Sequence, residues 1–185
     1  MDEAEMNQLI RFGIVLGTIC LVATLVLAVT YEITKPKIDD KLKVEEEAAL
    51  KAIMPGADSF NENQIDEIEY FEARKGKSLV GYCIRVTGNG YNGFMRMIVG
   101  IDLYGIINGV EILEHQETPG LGAKINEIRP EEKEPYFLAQ FKAKQARTVA
   151  VKKDIDAITG ATISSKAVTV AISLTVTEFL AKVKK

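Results

Sequence analysis

The stretch Asp156-Ala157-Ile158-Thr159-Gly160-Ala161-Thr162 runs without a break into an apolar segment that reaches Val183. The spacing predicts a helix over 162–183. Val168, Ile172, Val176 and Phe179 make one stripe at helical intervals, and Ile163, Ala167, Val170 and Leu174 make another. Apolar residues on both sides imply a helix packed deeply against a sheet. Lys182, Lys184 and Lys185 complement the negative end of its dipole. The start of this helix is more informative than its body. Unpaired N–H groups and the positive dipole end favour an anion there, a phosphate in particular. Thr162 reads either as an ordinary cap, the common fate of Thr before a helix, or as a hydroxyl offered to a ligand. Thr159 would cap the helix or donate to the phosphate. Gly160 and Ala161 are small enough to leave the Thr162 hydroxyl accessible. Lys166, one helical turn on, is either a phosphate contact or simply solvated.

A sheet precedes this helix. Residues 65–73, 79–86, 94–101 and 106–113 have the alternation and β-rich composition of antiparallel strands in one twisted sheet. Turns are expected at Arg74–Lys77, Gly88–Gly93 and Asp102–Gly105. A short helix over 135–142 carries Tyr136, Phe137, Leu138 and Phe141 on its apolar face, and 148–151 reads as one more strand. The strand at 106–113 ends in Glu114-His115-Gln116-Glu117-Thr118-Pro119-Gly120-Leu121-Gly122-Ala123-Lys124. Composition alone makes this an ordinary strand-to-helix turn. Its glycines would also let the backbone approach a flat ligand closely. His115 is the sole histidine, and a lone His at a strand end is expected to be structural, here as part of the pocket's framework.

Near the other end, Phe12 to Thr30 carries no charged residue. As a helix this run is about 28 Å long, close to the thickness of a bilayer core. It is too long for a signal-peptide core, its preceding segment is mostly acidic, and Ala28-Val29-Thr30 is a poor cleavage site. A retained membrane anchor is therefore expected over 12–30, with 1–11 as its flank and Tyr31 at the interface. Lys35-Pro36-Lys37 is expected to end that helix. A separate surface helix over 38–53 would follow, packing loosely as a stalk within a 31–56 linker. The glutamates at 45–47 read as a solvated face. Lys35, Lys37, Lys41 and Lys43 outnumber the single basic Arg11 on the N-terminal side, which by charge alone would hold the large domain in the cytoplasm.

The two loops carry a resemblance. D-A-I-T-G-A-T is similar to the D-x-x-[ST]-G-A-T motif of the flavin-binding subunits of the Rnf and Na⁺-translocating NADH:quinone reductase complexes. H-Q-E-T-P-G-L-G resembles a second signature of the same family, about forty residues earlier and in the right order. The resemblance covers nearly the whole chain, and the short length favours the RnfG branch over the longer NqrC branch. It implies an α+β fold, with one N-terminal transmembrane helix and one antiparallel-sheet FMN-binding domain over 57–185 that ends in a long helix. It implies FMN held through a phosphoester to Thr162, with Thr159, Gly160, Ala161 and Lys166 near the phosphate. Glu117, Thr118, Gly120, Leu121 and Gly122 would line the flavin pocket. Asp156 would order the turn or help an attaching enzyme position a metal ion. Implied partners are the other Rnf subunits (A, B, C, D and E), the membrane, and a flavin transferase during maturation. The flavin domain is expected on the extracytoplasmic side, against the lysine bias, because long domains translocate despite flanking charge.

Composition limits the remaining choices. A net charge of -3 over 185 residues gives no case for nucleic acid. With 2 Cys, no C-x-x-C pair and no His cluster, no protein-ligated metal is expected. No nucleophile–base–orienter set is visible, so there are no catalytic residues to name and the chemistry would belong to the cofactor. Two alternatives stay open: a flavin subunit of another membrane reductase, such as one like NqrC, and a flavin-free, membrane-anchored assembly or binding module.

Overall fold

The structure is a computed structural model and describes residues 3–183. Two compact units divide the chain, 1–44 and 45–185. The first unit is helical throughout its described part. It belongs to α1 (Glu3–Ile53), and Phe12, Leu16, Ile19, Leu25 and Leu27 stand exposed along it. Among the described residues two helices are long and apolar enough to cross a membrane. One lies in α1, with none of its apolar window buried. The other is α3 (Thr162–Val183), which is partly buried in a protein core.

Pro36 does not end the helix as the sequence led us to expect; α1 continues through it. Proline removes one backbone hydrogen bond and tends to kink a helix. Ending the helix would forfeit more bonds and require a second costly nucleation.

The second unit opens with the last turns of α1, from Glu45. They are not a loosely packed stalk. Ala49, Leu50, Ile53 and Met54 are buried with Phe71, Ala73, Cys83 and Ile98. Burial drives the Cys83 thiol up to about 12, so it is an inert core residue. Ile53 seats on paired glycines, Gly100 and Gly109, of adjacent strands, and a Cβ at Gly100 would collide with its Cγ2.

The sheet is a five-stranded antiparallel meander in the order of the chain: β1 (Ser59–Ile65), β2 (Ile68–Lys75), β3 (Ser78–Asn89), β4 (Phe94–Asp102) and β5 (Ile107–His115). The expected strand at 65–73 is two strands. Ile65 pairs with Ile68 across a two-residue turn in which Asp66 takes φ 53°. β1 reads Ser-Phe-Asn-Glu-Asn-Gln-Ile, an exposed polar edge without apolar alternation. Adjacent residues on the inner strands serve opposite cores: Tyr70, Ile84, Met97 and Val99 face one side, while Phe71, Cys83 and Ile98 face the other.

α3 covers the first of these faces. Val168, Ile172, Val176 and Phe179 are fully buried there. The second stripe does not share this burial: Ile163, Val170 and Leu174 are exposed. A single sheet can cover only one side of a helix, and the described residues place no second layer over the other. The expected helix over 135–142 shrinks to α2 (Tyr136–Ala139) followed by turns. The expected strand at 148–151 is absent. Val151 makes only an isolated parallel bridge to Ile155, because the chain turns back at Lys152, which takes φ 71°.

Glu46 also departs from its solvated reading. Arg85 on β3 holds both of its carboxylate oxygens, at 2.6 and 2.8 Å, and reaches Glu62 at 2.6 Å and Glu69 at 2.8 Å. The guanidinium also lies 4.7 Å from the centre of the Phe71 ring. The hydrogen bonds to Glu46 are the main force raising its pKa. Glu46→Ala is expected to cost about 1–2 kcal/mol, since Glu62 and Glu69 still pair the arginine. A change in the urea midpoint corresponding to less than a few tenths of a kcal/mol would show that the tie is decorative.

Candidate functional site

Two tight turns build the site, each with the type II pattern. In the first, the Leu121 N–H donates to the Thr118 carbonyl at 3.2 Å, Pro119 takes the second position, and Gly120 takes the third with φ 75°. In the second, the Ala161 N–H donates to the Ile158 carbonyl at 2.9 Å and Gly160 takes the third position with φ 81°. A left-handed residue is required there, and glycine adopts it without strain. Backbone conformation is therefore the direct reason for Gly160, ahead of access to Thr162. Ser165 locks the second turn by accepting from the Ile158 N–H at 3.0 Å and donating to the Ala161 carbonyl at 2.9 Å.

This turn delivers Thr162 as the first residue of α3 and not as its cap. The Ser165 N–H bonds the Ala161 carbonyl at 2.9 Å, which places Ala161 at the cap position. Alanine has no polar side chain to satisfy the orphan donors, so the first N–H groups of the helix are left without a side-chain cap beside the exposed Thr162.

The two turns meet at a cavity of about 380 Å³ lined by Tyr91, Glu117, Thr118, Leu121, Gly122, Gly160, Ala161, Thr162, Ile163 and Ser164. Seven residues singled out from the two motifs thus converge from segments forty residues apart. Three others do not line it. Gly120 sits at the apex of its turn, exposed. Thr159 faces a different cavity, shared with Asp156, Lys124 and Gln140. Lys166 lines a third, beside Val149, Val151, Val170 and Leu174. Asp156 orders its turn through its backbone: its N–H donates to Gln140 Oε1 at 2.8 Å. His115 ends β5 opposite Met95, outside the lining, with a buried Nδ1 that has no hydrogen-bond partner.

Sequence reasoning missed Tyr91, Ile163 and Ser164. Ser164 had a signal, being a polar residue on the apolar course of α3, next to the buried stripe. Tyr91 had only its setting in the glycine-rich loop at 90–93, an ordinary turn composition. A larger cavity of about 710 Å³ lies between the end of α1, β5 and Glu134–Pro135. None of the motif residues reaches it, so its size does not make it the site. Burial, with Glu134 nearby, raises the pKa of Glu111 there.

The lining is chemically mixed in a useful way. Tyr91, Leu121 and Ile163 are largely exposed apolar or aromatic side chains at the rim, suited to the faces of a flat ring. Thr118 and the start of α3 are polar. An aromatic ring bearing a phosphate suits both halves, and among the described residues no cluster could hold a metal ion.

Comparison with known proteins identifies relatives of this chain. A family model described as the FMN-binding domain matches residues 90–177, and one described as the RnfG N-terminal region matches residues 1–53. The G subunit of the proton-translocating ferredoxin:NAD(+) oxidoreductase complex of Clostridium ljungdahlii is 30% identical over 173 residues, covering 90% of this chain and 89% of that protein. The G subunit of the ion-translocating oxidoreductase complex of Haemophilus influenzae is 33% identical over 174 residues, with 85% and 84% covered. Its counterpart in the Na(+)-translocating ferredoxin:NAD(+) oxidoreductase complex of Acetobacterium woodii is 32% identical over 201 residues, with 94% and 93% covered. The crystal structure of NqrC from Shewanella oneidensis shares the fold, at a TM-score of 0.50 and 20% identity over 70% of this chain and 72% of that one.

Proposed function

From the premise that this chain belongs to the RnfG family of ion-translocating oxidoreductase complexes, we propose that it carries electrons on an FMN joined by a phosphoester to Thr162. It is an FMN-binding subunit of an Rnf complex. The observation that carries the attachment site is the placement of Thr162. It is exposed, first in its helix, uncapped, and on the wall of a cavity built by both motif loops. A flavin-free assembly module leaves the FMN-binding match unexplained.

The residues present fit FMN. The Thr162 hydroxyl and the N–H groups at the start of α3 would take the phosphate, and the dipole would favour its charge. Tyr91, Leu121 and Ile163 would hold the ring and keep water from part of it, while Thr118 offers a hydroxyl to a polar edge. When bound, the flavin supplies one- and two-electron redox chemistry, and the protein supplies position and electrostatics. A phosphoester leaves the ring electronically unchanged and prevents loss of the cofactor. Relatives named for proton and for sodium translocation each carry a G subunit similar to this chain.

The attachment is tested on the full chain expressed with a flavin transferase. Its intact mass should rise by one FMN less one water, on a peptide containing Thr162. An unmodified mass would remove the proposal.

The membrane placement rests on the exposed apolar surface of α1 and on the family's membrane complexes. The chain should stay in the membrane fraction through carbonate washing, with its partners being the other subunits, A to E. The unit from Glu45 onward is proposed to lie outside the cytoplasm, where a long domain prevails over four flanking lysines. Protease added to intact spheroplasts should then digest it. Digestion only in inverted vesicles would reverse the topology.

A further inference from the structure

Glu117 is a buried carboxylate in the wall of the Thr162 cavity, 5% exposed. Its Oε1 accepts from the Tyr91 N–H at 2.7 Å and its Oε2 from the Ser164 hydroxyl at 2.9 Å. Both oxygens accept, which is the bonding pattern of the anion. Both donors are neutral, and among the described residues no lysine or arginine pairs with it. Space for the group is reserved by two glycines: a Cβ at Gly90 would overlap Oε1, and one at Gly122 would overlap Oε2. Gly122 thus makes room for a charge as well as for any ligand. A buried charge without a counter-ion is costly, and a purely structural clasp could be made with an amide.

We propose that Glu117 is a positioning residue that also sets the redox poise of the site, its fixed negative charge holding the flavin potential down. This rests on the proposed flavin. Reduction brings two electrons and one proton onto the ring and leaves one net negative charge. A fixed anion in the same cavity wall disfavours that state. Unit charges several ångströms apart in a medium of intermediate dielectric change an equilibrium by about an order of magnitude.

Glu117→Gln isolates the charge from the clasp. The amide oxygen can accept from the Tyr91 N–H, and the Ser164 hydroxyl can rotate to accept from the amide N–H. The measurement is the midpoint potential of the full flavinylated chain in detergent, with electrons supplied by a poised electrode through mediators. Intact mass and thermal unfolding are recorded alongside. The expected result is retained covalent FMN, an unfolding temperature close to that of the parent, and a two-electron equilibrium shifted at least tenfold toward the reduced form. Tenfold corresponds to about 30 mV. An unchanged or more negative potential with flavin retained overturns the inference. Absence of FMN from the parent chain overturns the proposed function instead.

Should Glu117→Gln fail to fold, Glu117→Ser is measured in its place, since it also removes the charge and leaves room for water to accept from the Tyr91 N–H. Its potential should likewise lie above that of the parent. An unchanged or more negative potential would again overturn the inference.

Discussion

Thr162→Ala is expected to take covalent flavin from stoichiometric to none. The chain expressed with its transferase should lose its ultraviolet fluorescence on a denaturing gel, and its mass should return to that of the bare polypeptide. The fold should barely notice. Thr162 is exposed and first in α3, where a surface substitution costs at most about 0.5 kcal/mol. The side chain does not cap the helix, so no capping energy is lost with it. Thr162→Ser keeps the hydroxyl and should still be modified. Covalent flavin on the alanine variant would move the attachment elsewhere, with Thr159 as the next hydroxyl to test. It lies in a separate cavity, and so is not expected to substitute.

Phe179→Ala should have the largest effect on stability, a loss of about 3–5 kcal/mol. The Phe179 ring is fully buried on α3. It lies 4.9 Å from the Tyr70 ring of β2 and 5.1 Å from the Tyr82 ring of β3, and so clamps the helix to the sheet. Burial raises the pKa of both tyrosines. Truncation leaves a cavity that aromatic neighbours cannot refill without leaving their rotamers. Urea unfolding of the unit from Glu45 onward measures it. A loss under about 1 kcal/mol would mean that α3 is held mainly by its first turns.

How much of this was readable in the chain depended on the kind of signal. The helix at 162–183 was placed with its observed limits because Gly160 marks the turn before it and one apolar stripe runs its length. The same stripe logic failed for Ile163, Val170 and Leu174. Periodicity reports that a face is apolar but not that anything covers it. β1 was missed because a polar edge strand owes its existence to pairing with β2, a partner it does not announce. Both site loops were legible as motifs, and seven of their residues do converge. The motifs could not separate a lining residue from a turn apex, as Gly120 and Thr159 show. Tyr91 reaches the site from a loop 26 residues before Glu117 through a backbone N–H, which no side-chain pattern records. The end of α1 was read as a loosely packed stalk, with Glu45–Glu47 as its solvated face. The glycines that receive it, Gly100 and Gly109, sit about fifty residues later in the chain.

That seat of Ile53 on paired glycines decides where the chain can be cut. A fragment starting after Pro55 would present Phe71, Ala73, Cys83 and Ile98 to water as one bare patch on the sheet. Such a piece should be sticky, prone to self-association, and open to alkylation at a sulfur the intact protein hides. Glu46 would be gone as well, taking away the bidentate partner of Arg85 and leaving it to Glu62 and Glu69. The smallest soluble piece that behaves as a monomer should begin at or before Glu45, well inside what looks like the tail of an anchor.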